Sequence, residues 1–392
     1  MLIEILLTIL FGILAGTITG LIPGIHINLI GALLISLTAS IYLNPIYGIT
    51  FITAMAITHT FLDFIPSIFL GCPDTDTELS VLPGHELLKK KRGYEAIHLS
   101  NIGSLIAIII TAIILIPSIF LINKTYFIIE KIIPYLLILI SILLISQEKR
   151  KWRGLIVFLL AGFLGFSTSF LEINQPLLPL LTGLFGASNI IISIKNKTII
   201  PKQKITLTKT RLSKPIKAAL LSAPLCSFLP SLGSGQAAII GNTFIKNSKK
   251  QFLVLLGIIN TLVMTFSFIS LYALEKTRTG SANAIKEILP KLEISHLILI
   301  ILVILISGVI SFYLTSYLGK IFALKLEKIN YKKLSYITLI VLGIIVLFIS
   351  GWKGLFILGL STLTGIYCIG LKVRRTNMMG CMILPTIIWY LF

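Results

Sequence analysis

Two apolar stretches of the chain are interrupted in the same way. Leu21-Ile22-Pro23-Gly24-Ile25-His26-Ile27-Asn28 breaks the first, and Phe228-Leu229-Pro230-Ser231-Leu232-Gly233-Ser234-Gly235-Gln236 breaks the second. Such breaks free backbone N–H groups beside small residues. A helix N-terminus just past a break turns its positive dipole end toward whatever fills the gap, which favours an anion. The candidate ligands are Pro23, Gly24, His26 and Asn28 in the first tip, and Pro230, Gly233, Ser234, Gly235 and Gln236 in the second. One Pro/Gly pair alone reads as a kink or cap; two at matched positions favour a site.

Ionisable chemistry is confined to a short region. Of 14 acidic residues, six (Asp63, Asp74, Asp76, Glu78, Glu86 and Glu95) lie between 63 and 95. His59 and Asp63 are four apart, hence on one face of a helix. An ionisable pair inside a membrane span is costly and suggests a proton relay or a cation site; a plain interfacial hydrogen-bonded pair is the other reading. Asp74, Thr75 and Asp76 alternate carboxylate and hydroxyl, hard oxygen ligands of the kind a cation prefers. The alternative there is a solvated loop whose charges do nothing. Asn260 and Thr261 occupy the equivalent helix of the second half and join the tips as candidate anion ligands.

Catalytic signatures are absent from the sequence: no HExxH, no GxSxG elbow, no P-loop and no dinucleotide-binding glycine motif. Cys72, Cys226, Cys368 and Cys381 are scattered without ligand spacing. No catalytic residue, resident metal or cofactor is expected, and the chemistry left is binding and passage, with Na⁺ or H⁺ as a possible coupling ion.

The elements that must position these residues are membrane helices. Hydrophobic residues make up 56% of 392 positions and charged ones 12%, about half the charged fraction of soluble domains. The mean hydropathy is +1.00. The net charge of +20 sits in short loops rather than on an aromatic-interleaved patch, which argues against nucleic acid. The first twenty residues carry Glu4 instead of a basic leader and read as a retained helix.

Crossings are expected at about 47–70, 97–121, 126–146, 154–170 and 176–194, then at 252–273, 294–317, 334–350, 354–371 and 378–392. Broken hairpins, 2–43 and 216–245, precede each set. This threading places Lys89–Arg92, Lys149–Arg153, Lys195–Lys217, Lys246–Lys250, Lys320–Lys333 and Lys372–Arg375, with 27 of the 34 Lys and Arg, on one face. Read by the positive-inside rule, that face is cytoplasmic and both termini lie outside the cytoplasmic membrane. A hairpin plus five crossings is an odd count, so the second half is expected upside down relative to the first. The expected fold is an all-α polytopic membrane protein of two inverted-topology repeats, 1–195 and 216–392, joined by a basic cytoplasmic linker at 196–215. Broken helices at the interface of inverted repeats are an architecture of secondary transporters.

The same residues resemble a known family, the large membrane subunit (TctA) of the tripartite tricarboxylate transporters, in its archaeal-type branch. The resemblance is carried by Gly20–Asn28, Thr58–Gly71, Pro73–Thr77, Leu82–Leu88, Arg92–Ala96, Leu229–Ala238, Gly257–Thr261 and Arg278–Ala282. It implies a secondary carrier for small organic anions such as di- or tricarboxylates. It further implies a driving cation gradient, a small membrane subunit and an extracytoplasmic binding protein. Asp74 and Asp76 stand where the better-known branch has Gly and Pro, and Ser231 replaces a tip Gly. In this reading the tips with Asn260 and Thr261 hold the anion, and His59, Asp63, Asp74, Thr75 and Asp76 handle the cation. A passive channel, a carrier of another solute or a non-transporting membrane subunit are the alternatives.

Overall fold

The computed structural model describes residues 2–22, 44–70, 77–195, 201–228, 233–277, 279–325 and 331–391. Tip residues Pro23, Gly24, His26, Asn28 and Pro230, loop residues Asp74, Thr75 and Asp76, and the expected second arm 27–43 lie outside the described residues. Among the described residues every regular element is helical, and eight helices are long and apolar enough to cross a membrane.

Helix α1 (Leu2–Leu21) is followed by α2 (Pro45–Leu62). Asn44 starts α2: its Oδ1 accepts from the Ile46 N–H at 3.1 Å, and Pro45 fills the first helical turn, where a missing N–H costs nothing. The crossing expected at about 47–70 is the span Pro45–Leu70, jointed at Asp63, past which α3 (Phe64–Leu70) begins. Pro66, in the first turn of α3, has no N–H to return to the Leu62 carbonyl, so the ladder is interrupted there. Helix α4 (Val81–Lys89) leads into α5 (Gly93–Ser146).

Helix α5 has 54 residues, with Pro117 and Pro134 inside, and would be about 80 Å long if straight. Its two ends nevertheless meet one short segment. Near the first end Glu95 pairs with Lys250 Nζ at 2.9 Å; just past the other, Gln147 Nε2 donates to Thr243 Oγ1 at 3.1 Å. Seven residues span at most about 25 Å, so the arms Gly93–Lys124 and Lys131–Ser146 run back beside each other. These are the two crossings expected at 97–121 and 126–146. Helix α6 (Lys151–Ser169) follows. The crossing expected at 176–194 is α7 (Leu177–Leu181), a π-helical turn (Thr182–Ala187) and α8 (Ser188–Lys195).

The second half opens with α9 (Ser213–Phe228) and α10 (Ser234–Phe244), which pack on each other as the expected hairpin. Helix α11 (Lys249–Leu274) starts at a reciprocal cap, in which Ser248 Oγ accepts from Gln251 N and Gln251 Oε1 from Ser248 N. Then come α12 (Gly280–Ile288), α13 (Ile294–Lys325), α14 (Tyr331–Gly370) and α15 (Gly380–Leu391). Gly351 splits α14 with φ 64° and ψ −163°, a conformation essentially reserved for glycine. The split falls between the crossings expected at 334–350 and 354–371.

Packing is reciprocal between the halves. Helix α1 lies on α2 as α9 lies on α11, while α11 packs against α5 and α2 against α13. The α5–α11 contact is closest at two glycines: a Cβ on Gly257 would lie 2.0 Å from Ser100 O, and one on Gly103 2.2 Å from Val254 O. Small residues let membrane helices approach at backbone distance. Outside this core, α6 packs on α15 and the π-helical turn on α14. Large apolar side chains such as Ile113, Phe120, Phe348 and Trp389 point outward, as lipid contact requires.

The six basic segments meet at one end. Lys204 N donates to Lys91 O at 2.9 Å, Lys250 reaches Glu95, and Lys320 Nζ lies 5.9 Å from the Tyr94 ring centroid. Arg153 Nη1 donates to Leu371 O at 3.5 Å and Arg374 N to Glu148 Oε1 at 3.0 Å. The Gln147–Thr243 bond ties these two groups together.

Candidate functional site

Helices α2 and α11 belong to the two most buried membrane spans among the described residues. In the candidate spans that contain them, Pro45–Leu70 and Lys249–Leu274, 89% of the apolar window is buried, against 28–50% in the other six. One span belongs to each half, and each carries a run of polar residues: Thr58-His59-Thr60 with Asp63 in Pro45–Leu70, and Asn260-Thr261 with Thr265 in Lys249–Leu274. A polar group in such surroundings costs free energy unless a partner satisfies it, so these side chains find one another.

Asn260 Nδ2 donates to Asp63 Oδ2 at 2.8 Å and to Thr60 O at 3.3 Å. Thr60 Oγ1 and Thr261 Oγ1 are 3.2 Å apart. His59 Nδ1 is 3.0 Å from Thr19 Oγ1 of α1, and Ser311 Oγ of α13 donates to Thr58 Oγ1 at 2.9 Å. Thr111 of α5 and Thr265 lie 2.8 Å apart, Oγ1 to Oγ1. The result is a seam of hydroxyl, amide, imidazole and carboxylate groups, drawn from both halves and walled by apolar side chains.

Asp63 sits in this seam at the α2–α3 joint, where backbone polar groups are also available. Ser67 Oγ donates to Asp63 O at 2.7 Å and lies 2.6 Å from Thr77 Oγ1, at the end of the acid-rich loop. His59 and Asp63 are buried, 5% and 4% exposed, and so are Asn260 and Thr261. Residues assigned by sequence to two separate tasks, cation handling and anion binding, are therefore hydrogen-bonded neighbours.

The second tip is described from Gly233 onward. Gly233 N donates to Gln236 Oε1 at 2.9 Å, which closes the start of α10. Ser234, Gly235 and Gln236 are buried. Gln236 Nε2 is buried without a hydrogen-bond partner among the described residues. Helix α10 packs against α11, the helix that carries Asn260 and Thr261.

Several contributors were not foreseen. Thr19, Thr60 and Ser311 were missed because a lone hydroxyl in an apolar helix also satisfies itself on its own backbone; the run Thr58-His59-Thr60 was the available signal. Glu95, read with the acid-rich loop, is fully buried. It accepts from Thr208 Oγ1 and pairs with Arg92 and Lys250, so it fastens the linker to both halves.

Comparison with known proteins places the chain in a family. Residues 6–380 match the family described as the tripartite tricarboxylate transporter TctA family. The chain is also 32% identical over 373 residues to an uncharacterized protein of Methanocaldococcus jannaschii, a match covering 90% of this chain and 92% of that one. No solved structure matches. The eight long apolar helices among the described residues make the chain a multi-pass membrane protein, and the matched family is one of transporters, not of enzymes. The chain belongs to the tripartite tricarboxylate transporter TctA family.

Proposed function

We propose that this chain is a permease of the cytoplasmic membrane that moves small organic anions, such as di- and tricarboxylates, by cation-coupled alternating access. The observation that carries the reading is the Asn260–Asp63 hydrogen bond. It ties the innermost helix of one half to that of the other, at a carboxylate buried where a bare charge is expensive. A cation bound beside Asp63 relieves that cost and offers a positive neighbour to a substrate anion, so binding of each favours the other. In this reading Pro23, Gly24, His26, Asn28, Pro230 and Gly233–Gln236 form the anion site with Asn260 and Thr261. His59, Asp63, Asp74, Thr75 and Asp76 serve the cation.

The reciprocal packing of α1–α2 with α9–α11, and of α2–α13 with α11–α5, supports two repeats of inverted topology whose relative motion exposes the seam to either side. The basic end faces the cytoplasm and both termini lie outside, following the positive-inside rule. A small membrane subunit and an extracytoplasmic binding protein are the proposed partners. The test is uptake of labelled citrate and succinate into proteoliposomes under an imposed Na⁺ or H⁺ gradient. Uptake that collapses with the gradient is expected. Flux that persists without one indicates a channel, and no uptake across a broad panel of organic anions overturns the reading.

A further inference from the structure

At the end where the basic loops meet, a cavity of about 900 Å³ opens between the two halves. That volume lies at the upper end of the roughly 300–1,000 Å³ usual for small-molecule clefts. One wall comes from α4 and the α5–α6 turn of the first half; the other comes from α10, the start of α11 and the α14–α15 turn of the second. Four cationic side chains, Lys89, Lys249, Arg374 and Arg375, line it, and Glu86 is the single acid in the lining among the described residues.

Glu86 is taken by Lys249, with Nζ to Oε2 at 2.5 Å, and Arg374 Nη1 donates to a neutral amide, Gln147 Oε1, at 3.1 Å. His85, also in the lining, adds no charge at neutral pH. Burial first, and the neighbouring Lys89 second, push its pKa down to about 4. Its Nε2 is buried and has no hydrogen-bond partner among the described residues. Among the described lining residues cations therefore exceed acids by three; Arg375 Nη2 also donates to Phe185 O, and the apolar part of the walls focuses the field of these charges. Ile239 lines the same space, one helical turn along α10 from Gln236, or about 5 Å of rise.

We propose that this cavity is an anion vestibule, a second binding place for a small polycarboxylate passing between the second tip and the basic end. The proposal rests on the organic-anion reading above. The charge of the described lining matches a di- or trianion, the amide N–H groups of Gln147 and Asn242 suit carboxylate oxygens, and both halves contribute, so the space changes as the halves move.

The test uses the full chain with its four native cysteines replaced, in nanodiscs of neutral phosphatidylcholine. Ile239→Cys and Thr243→Cys serve as two independent reporters. Their rates of modification by an anionic and a cationic methanethiosulfonate are compared. The anionic reagent is expected to react about tenfold faster or more, with the ratio falling at least threefold after Lys89→Gln together with Arg374→Gln. Citrate and succinate should slow the anionic reaction, and inorganic phosphate at equal ionic strength should not. Equal rates for the two reagents overturn the proposal. So does equal protection by phosphate, or by phosphatidylglycerol added to the nanodisc, which marks a general anion or headgroup site. Citrate uptake in proteoliposomes separates the two readings. Uptake without selective labelling removes the vestibule and leaves the carrier; selective labelling with citrate protection but no uptake does the reverse.

Discussion

Asn260 Nδ2 lies 2.8 Å from Asp63 Oδ2, a hydrogen bond between residues 197 positions apart in the two most buried of the described membrane spans, Pro45–Leu70 and Lys249–Leu274. Hydrogen bonds to charged groups contribute about 1.5–3 kcal/mol, and loss of one partner leaves the other buried and less satisfied. A double-mutant cycle of Asp63→Asn and Asn260→Leu, read from unfolding in detergent, should therefore show a coupling of about 1–3 kcal/mol. Effects that add to within about 0.5 kcal/mol would mean the two side chains do not act together.

Glu95 is fully buried, yet Thr208, Lys250 and Arg92 converge on it. Glu95→Gln keeps the shape and removes the charge. The linker 201–212 should then open more readily, and tryptic cleavage at Lys204, Lys209 or Arg211 should quicken about tenfold, the equivalent of about 1.4 kcal/mol in the opening equilibrium. An unchanged cleavage rate would show that the charge is not what holds the linker down.

His85 shares its surroundings with Glu86 and Lys89 on α4 and with Lys249 and Arg374 across the cavity. Its folded-state pKa of about 4 lies below the ordinary 6.5. Between those values the unfolded chain takes up a proton that the folded one refuses. Stability should hold above pH 6.5 and fall as pH drops toward 4, by on the order of 1–3 kcal/mol. His85→Gln should flatten that part of the pH profile of the thermal midpoint. Parallel profiles for the two proteins would contradict the assignment.

Gly257 and Gly343 make a paired test of helix contact. An added methyl at Gly257 meets the Ser100 carbonyl, whereas at Gly343 nothing lies within 4 Å. Gly257→Ala should cost about 1–3 kcal/mol by overpacking. Gly343→Ala should be neutral or stabilise by up to about 1 kcal/mol through helix propensity. Both are measured as thermal midpoints in detergent, and a similar loss at both positions would contradict the close α5–α11 approach.

Crossings were legible where a single physical signal decides them. Apolar runs near bilayer length and basic loops on alternate turns located the long described helices, including the reversal inside α5 and the split of α14 at Gly351. The joint at Asp63 was not anticipated, although Pro66 announces it, because the apolar run continues unbroken through 47–70 and hides the lost hydrogen bond. Periodicity cannot say which helix lies innermost when all are apolar, so the pairing of Asp63 with Asn260 was out of reach. The two residues were even assigned to different ions. The burial of Glu95 was not legible either, because the contacts that enclose it, from Thr208 of the linker and Lys250 of α11, are more than a hundred residues away in sequence.

The most direct measurement is uptake of labelled citrate and succinate by wild type and Asp63→Asn, matched for reconstitution, with an inward Na⁺ or H⁺ gradient imposed or dissipated. Wild-type uptake should depend on the gradient. Asp63→Asn should lose at least tenfold of the gradient-driven component while keeping the folded chain, as judged by size-exclusion profile. Equal gradient-driven uptake by the two proteins would contradict a coupling role for the Asp63–Asn260 seam.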